Sequence, residues 1–217
     1  MTDFLYPFIE RDERDAGSLL EDLTRSARSK ADMSAALRST TLDALDAELA
    51  AASAAMAERF LAGGRLFSFG NGGSATDAAS TAMLFSRPPS GRGLPARSLV
   101  ADYAALTALA NDVGYELVFS RQIIATATPL DIAFGLSTSG SSANLLRAFA
   151  DSRRMGLLSV GVSGYAGGSM AAAGTVDHCL IVRSDSVHRI QEAQSALVFE
   201  LWQRVQRALA GKGADGH

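Results

Sequence analysis

Hydrophobic and polar positions change rhythm along this chain. Residues 16–62 are rich in strong helix formers, and Leu42, Leu45, Leu49, Met56 and Phe60 recur at helical spacing, which predicts one apolar stripe on a packed helix. The residues Asp32-Met33-Ser34 predict a break in that helical run. Gly63-Gly64 follows the last apolar turn, where glycine commonly ends a helix because it reaches positive φ without a Cβ penalty. Beyond it, short apolar runs alternate with helical stretches. Residues 66–69, 97–100, 131–136, 157–162 and 178–182 read as strands. Helices are expected from about Ser74, over 103–110, 115–126 and 142–154, and over 186–210. In the last of these Val187, Ile190, Leu197, Leu201, Trp202 and Val205 mark one packed face.

Strand, loop and helix repeated in this way predict a parallel sheet with helices on both sides, a three-layer α/β/α domain. Ligands of such sheets bind at the carboxyl ends of the strands, where loops enter helices. Residues 1–40 are expected to form an N-terminal helical segment, 41–210 the α/β domain and 211–217 a frayed tail. The apolar residues Phe4, Leu5, Tyr6, Phe8 and Ile9 can dock on a neighbour, while the charged run 10–15 reads as a solvated face.

Composition narrows the function classes. A net charge of -3 gives no electrostatic case for nucleic acid or an anionic membrane. No stretch approaches the ~18 apolar residues of a membrane span, and a start containing Asp3, Glu10 and Arg11 does not read as a signal peptide. The single cysteine, Cys179, excludes an internal disulfide, fits a reducing cytosol and is expected to be a buried structural thiol. A cytoplasmic protein is the expectation.

Two strand-to-helix loops carry candidate chemistry. The first is Gly70-Asn71-Gly72-Gly73-Ser74-Ala75, where glycines let backbone approach a ligand and the helix start offers free amides to an anion. The second, Ser137-Thr138-Ser139-Gly140-Ser141-Ser142, places five hydroxyls in six positions. Hydroxyls donate to phosphate oxygens, and Ser142 is positioned to cap the following helix. Neither loop has the lysine of a nucleotide-triphosphate loop, and Ala75 stands where a dinucleotide fingerprint needs its third glycine.

The order Gly70-Asn71-Gly72-Gly73-Ser74-Ala75, Asn111-Asp112-Val113-Gly114-Tyr115-Glu116, Ser137-Thr138-Ser139-Gly140 and Arg189-Ile190-Gln191-Glu192 resembles the phosphoheptose isomerase branch of the SIS (sugar isomerase) family. Phe119-Ser120-Arg121-Gln122 fits that branch as well. The resemblance implies a five-stranded parallel sheet of flavodoxin-like order and a homotetramer with sites at subunit interfaces. It implies that Asn71, Gly72, Gly73 and Ser74 contact a sugar phosphate, Asn111 and Asp112 contact sugar hydroxyls, and Ser137, Thr138, Ser139 and Ser142 cradle the phosphate. Gln191 is implied at the reacting end of the sugar.

The family's isomerases use a zinc site of two histidines, a glutamate and a glutamine. Here the resemblance places Ser80 and Leu84 at the first histidine and the glutamate, and Phe199 at the second histidine; Gln194 replaces a further histidine, and only Gln191 keeps its ligand type. Leucine and phenylalanine neither ligate zinc nor transfer a proton, so no metal and no other cofactor is expected. The expectation is a phosphosugar-binding or regulatory protein, with a protein partner as one precedent: the branch includes a protein that associates with the bacterial replication initiator. The alternative is a sugar-phosphate isomerase with a rearranged, metal-free site using Glu192, His188 or Asp112; a scaffold with a vestigial pocket is the third. A binder should keep the cradle above an apolar floor of Leu84 and Phe199, an enzyme should bring a carboxylate or histidine to the hydroxyl loop, and a scaffold should fill the pocket with its own side chains.

Overall fold

The structure, a computed structural model, describes residues 16–172, 174 and 176–214. The apolar and charged runs of 1–15 and the last three residues of the expected tail lie outside the described residues. The chain divides into two compact units between Ala36 and Leu37.

Helix α1 runs over Ala16–Ala44 and α2 over Asp46–Leu61. The expected break at Asp32-Met33-Ser34 is therefore absent. None of those residues is glycine or proline, and exposed polar residues inside a helix cost only a few tenths of a kcal/mol each, about 0.5. The interruption falls instead at Leu45 (φ -105°, ψ 12°), just before Asp46 and Glu48, acidic residues suited to the first turn of α2. After α2 the glycine pair closes the helix as expected. Gly63 has φ +88°, and the Gly63 and Gly64 amides donate back to the Phe60 and Arg59 carbonyls at 3.1 and 2.9 Å.

The strands are β1 (Leu66–Gly70), β2 (Ala96–Ser98), β3 (Ile132–Leu136), β4 (Leu158–Gly164) and β5 (His178–Val182). They form one five-stranded sheet in the order β2-β1-β3-β4-β5, with every pair parallel. Alternation along the strands splits the core in two. Leu66, Ile132, Phe134, Leu136, Val160 and Leu180 face α2, α3 (Gly73–Ser86) and α8 (Val187–Ala214). Phe67, Phe69 and Ala133 face α5 (Val118–Thr126), α6 (Ala143–Arg154) and the short α7 (Gly168–Ala172). The remaining helix, α4 (Tyr103–Asp112), is capped by Asp102, whose carboxylate accepts from the Ala105 amide. The architecture is the expected three-layer α/β/α fold. Alternation did not predict α7, whose five residues are too few for a helical period.

Two expectations need correction. Ser142 sits at the N-cap of α6, but its side chain makes no cap hydrogen bond. Cys179 is half-buried rather than buried, because it lies on the edge strand β5; burial and then the charge of Glu48 push its thiol up to about 11. His178, the first residue of β5, pairs through Nδ1 with Glu48 Oε1 at 2.8 Å. No helix of the described residues is long and apolar enough to cross a membrane.

Candidate phosphosugar site

The site begins where the sheet ends. Gly70 and Leu136, the last residues of β1 and β3, are in register, so the glycine loop and the hydroxyl loop leave the sheet side by side. Gly70 has no room for a Cβ, which would lie 2.9 Å from the Leu136 carbonyl oxygen and nearer to that of Ser74. Gly72, at φ 56° and ψ -125°, caps α3 in a conformation open to glycine. Asn71 is held by a reciprocal amide pair with Asn144 (2.8 and 2.9 Å) and by the Tyr115 hydroxyl, which donates to Asn71 Oδ1 at 2.9 Å. Ser74, expected at the ligand, is buried in the first turn of α3.

The hydroxyl loop is braced by its own side chains. Ser137 Oγ accepts from the Gly140 amide at 3.0 Å, and Ser139 Oγ accepts from the Ser141 amide at 3.3 Å. The Gly140 carbonyl accepts from the Met170 amide at 2.7 Å, and Ser141 Oγ accepts from the Ser169 amide at 3.1 Å, which pins the loop to α7. A hydroxyl that accepts from an amide can still donate; Ser141 Oγ already donates to the Ser139 carbonyl at 3.5 Å, and Ser137 and Ser139 share one hydrogen across 3.4 Å, which leaves the other free. Among the described residues, the half-buried Thr138 and Ser142 side chains make no hydrogen bond. The loop can thus present several hydroxyl hydrogens to an anion beside the amino end of α6.

Helix α8 lies across both loops. Gln194, fully buried, donates from Nε2 to the Ser137 carbonyl at 3.0 Å, leaving its Oε1 without a partner among the described residues. Gln191 donates from Nε2 to Asp77 Oδ2 at 3.3 Å. It also covers Gly73, where an added Cβ would lie 3.3 Å from the amide carbon and closer still to Nε2. Burial raises the Asp77 carboxyl above its usual range, and the Gln191 hydrogen bond offsets part of that rise.

Between α3 and α8 is a cavity of about 230 Å³ lined by Asp77, Ser80, Thr81, Leu84, Leu136, Ser195, Val198 and Phe199. Ser80 and Leu84 stand one turn apart on α3, and Phe199 comes from α8. The three positions expected as replaced zinc ligands therefore meet at one open cavity. Its donors are one carboxylate and hydroxyls, without imidazole or thiolate, and this set does not fit zinc. Among the described residues no three His, Cys, Asp or Glu side chains cluster closely enough to hold a metal ion.

The structure brings together Asn71, Gly72, Gly73, Gln191 and the hydroxyl loop. It does not bring His188, Glu192 or Asp112 into hydrogen-bond contact with either loop. His188 and Glu192 are exposed on α8, and Asp112 Oδ1 accepts from Asn111 Nδ2 at 2.9 Å, so that pair faces itself. Sequence reasoning missed Asp77, Asn144 and the bond from Tyr115. Asp77 had a signal: it lies three residues before Ser80 and seven before Leu84, on the same helix face.

A parallel sheet with two anion-ready loops at its carboxyl edge defines an α/β domain suited to a small anionic ligand. The SIS domain profile matches residues 31–164. A phosphoheptose isomerase of Paramagnetospirillum magneticum is 42% identical over 158 residues, covering 72% of this chain and 81% of the relative. The solved phosphoheptose isomerase GmhA of Neisseria gonorrhoeae is 29% identical with a TM-score of 0.78, covering 84% of this chain and 99% of that one. That of Francisella tularensis is 26% identical with a TM-score of 0.79, covering 85% and 98%. The chain belongs to the SIS domain family, in its phosphoheptose isomerase-like branch.

Proposed function

We propose that this chain binds a phosphorylated sugar without the zinc-dependent isomerase reaction of its branch, and acts as a binding or regulatory protein. One observation carries the reading: Ser80, Leu84 and Phe199 meet at a single open cavity beside an intact hydroxyl loop. The phosphate is held by Ser137, Thr138, Ser139 and Ser142, and the sugar by Asn71, Gly72, Gly73, Gln191 and, in the assembled protein, Asn111 and Asp112. The family pattern supports a cytoplasmic homotetramer with sites at subunit interfaces, and a protein partner that reads the bound state. The apolar floor and the open cavity favour a binder over a scaffold with a filled pocket.

The test is phosphorus NMR of sedoheptulose 7-phosphate with the purified protein, with and without added zinc. Line broadening or a shift without turnover is expected under both conditions. A new product resonance that grows with protein concentration overturns the reading.

A second reading rests on Asp77, a half-buried carboxylate whose affinity for a proton is raised and which faces the cavity. Aldose–ketose exchange moves a proton between adjacent carbons and needs one well-placed base with a donor at the developing enediolate. Asp77 would serve as the base and Gln191 as the donor. Turnover that survives chelation and disappears in Asp77→Asn would establish this metal-free isomerase.

A further inference from the structure

The cavity between α3 and α8 is open, and of its four polar side chains Ser80 alone keeps a hydroxyl free to donate. The Thr81 hydroxyl donates to the Asp77 carbonyl at 2.7 Å, and the Ser195 hydroxyl donates to the Gln191 carbonyl at 3.1 Å. Both are left as acceptors. The Asp77 carboxylate is an acceptor as well, already bonded on one oxygen by Gln191. Ser80 adds one hydroxyl that makes no hydrogen bond among the described residues, and Leu84, Leu136, Val198 and Phe199 supply the rest of the wall. Leu136 also fixes the place of this cavity in the site, because the hydroxyl loop begins at the next residue.

Such a lining selects by chemistry. A polyhydroxylated sugar end pushed against Leu84 and Phe199 loses water at several hydroxyls and finds few partners in return. A methyl group loses nothing there and gains apolar contact. A single donor beside that methyl finds the Asp77 carboxylate. The volume of about 230 Å³, against the ~30 Å³ one water occupies in the liquid, holds a substituent of several heavy atoms.

Building on the proposed phosphosugar binding, we infer that the ligand is a sugar phosphate whose end remote from the phosphate carries a methyl group next to one hydrogen-bond donor. Two sources supply that chemistry: an acetamido group, with its N–H and methyl, and a terminal deoxy carbon beside a ring hydroxyl. The phosphate occupies the hydroxyl loop, and the methyl lies between Leu84 and Phe199.

Titration calorimetry on the full chain tests this with two matched pairs and one reference. N-acetylglucosamine 6-phosphate is compared with glucose 6-phosphate, 6-deoxyglucose 1-phosphate with glucose 1-phosphate, and sedoheptulose 7-phosphate stands as the family's own substrate. The methyl-bearing member of at least one pair should bind about 10- to 200-fold tighter than its counterpart, the range a hydrophobic pocket gives for a small apolar group. The pair that responds identifies the source. Leu84→Ser or Phe199→Ser should reduce that preference to within about threefold, whereas Ser137→Ala should weaken all ligands together. Phe199 is 44% exposed, so its replacement leaves the core intact. Equal affinities within both pairs, sedoheptulose 7-phosphate as the tightest ligand, or a preference that survives in both cavity variants would each overturn the inference while leaving phosphosugar binding in place. Failure of every sugar phosphate to bind would overturn the binding reading itself, and this inference with it.

Discussion

Two glycines of the site separate backbone strain from close packing. Gly72 has φ +56° and nothing within 4 Å of where a Cβ would stand, so Gly72→Ala tests conformation alone. Alanine in so sparsely populated a region costs about 1–3 kcal/mol. Gly140 has φ +64°, and its added Cβ would lie 2.7 Å from the Gly167 carbonyl carbon, with the Gly167 oxygen and Ser163 Oγ nearer still. Unstrained carbon contacts lie at about 3.5–4.0 Å, so the neighbouring turn must move by roughly 1 Å. Overpacking of that kind adds about 1–3 kcal/mol. The same movement misaligns the 2.7 Å bond from the Met170 amide and the 3.0 Å bond to Ser137 Oγ that hold the hydroxyl loop. Gly140→Ala should therefore melt about 2–12 °C below Gly72→Ala, at roughly 2–4 °C per kcal/mol for a chain of this size. Thermal melts by circular dichroism read that difference, and titration with a sugar phosphate should show at least about tenfold weaker binding for Gly140→Ala. Equal melting points would refute the packing argument. Unchanged binding would refute the assignment of the 137–142 loop as the cradle.

Tyr115→Phe deletes one 2.9 Å hydrogen bond to Asn71 while Asn144 keeps its own. A bond worth about 1 kcal/mol implies roughly fivefold weaker phosphosugar binding by calorimetry, and unchanged affinity would mean that the Tyr115 hydroxyl does not orient Asn71. Asp131, 1% exposed, accepts from the Arg65 amide and guanidinium and from the Thr128 amide at 2.7–2.9 Å. Burial alone would raise its carboxyl, but the Arg65 and Thr128 hydrogen bonds and the Arg65 charge hold it below the usual range. A depressed carboxyl contributes stability that is present above its unfolded value of about 3.9 and is lost as pH falls through the folded value. Urea melts should show Asp131→Ala destabilised by about 1–3 kcal/mol at pH 7, since the Arg65 and Thr128 amides lose their acceptor while the Arg65 guanidinium stays half-exposed, with the gap to the parent protein narrowing below about pH 4; a gap independent of pH would refute the ionic account. The Cys179 thiol, pushed up to about 11, should react with iodoacetamide at pH 8 on the order of a hundredfold slower than a free thiol, and faster as pH approaches 11. Alkylation at the free-thiol rate would show that burial does not suppress its thiolate.

The parts of the fold that were legible are those where backbone and pattern decide. Strand β5 was read over its full length because its bounds are set by an apolar run between polar turns, and the end of α2 was read from a glycine pair that the helix termination uses through both amides. The false break at 32–34 shows the limit of local reading: nothing in those residues stops a helix, and the real interruption at Leu45 carries no glycine or proline to announce it. Ser142 was legible as an N-cap position but not as a side chain left free of capping. His188, Glu192 and Asp112 were chosen because their chemistry suits proton transfer. Their exposure, and the bond between Asn111 and Asp112, depend on how α4 and α8 are turned, which spacing along the chain does not give. Asp77 was passed over although its helical offset from Ser80 and Leu84 placed it on their face.

The two halves of the site answer to different constraints. The hydroxyl loop is tied into the fold: Ser137 and Ser139 accept backbone amides, Gly140 meets the next loop at close range, and Gln194 holds the Ser137 carbonyl from a buried position. Replacing those residues would disturb the turn itself. Ser80, Leu84 and Phe199 hold no loop in place, although Leu84 packs against the core and the Phe199 ring lies 5.2 Å from that of Trp202. Helices α3 and α8 are anchored by Ala78, Phe85, Ile190, Ala193 and Leu197, which lie in the core, while Ser80 is exposed, Leu84 half-buried and Phe199 44% exposed. Substitutions at these three positions alter the chemistry of the cavity without moving the helices that frame it. The lining of the cavity can in this way be varied without disturbing the hydroxyl loop beside it.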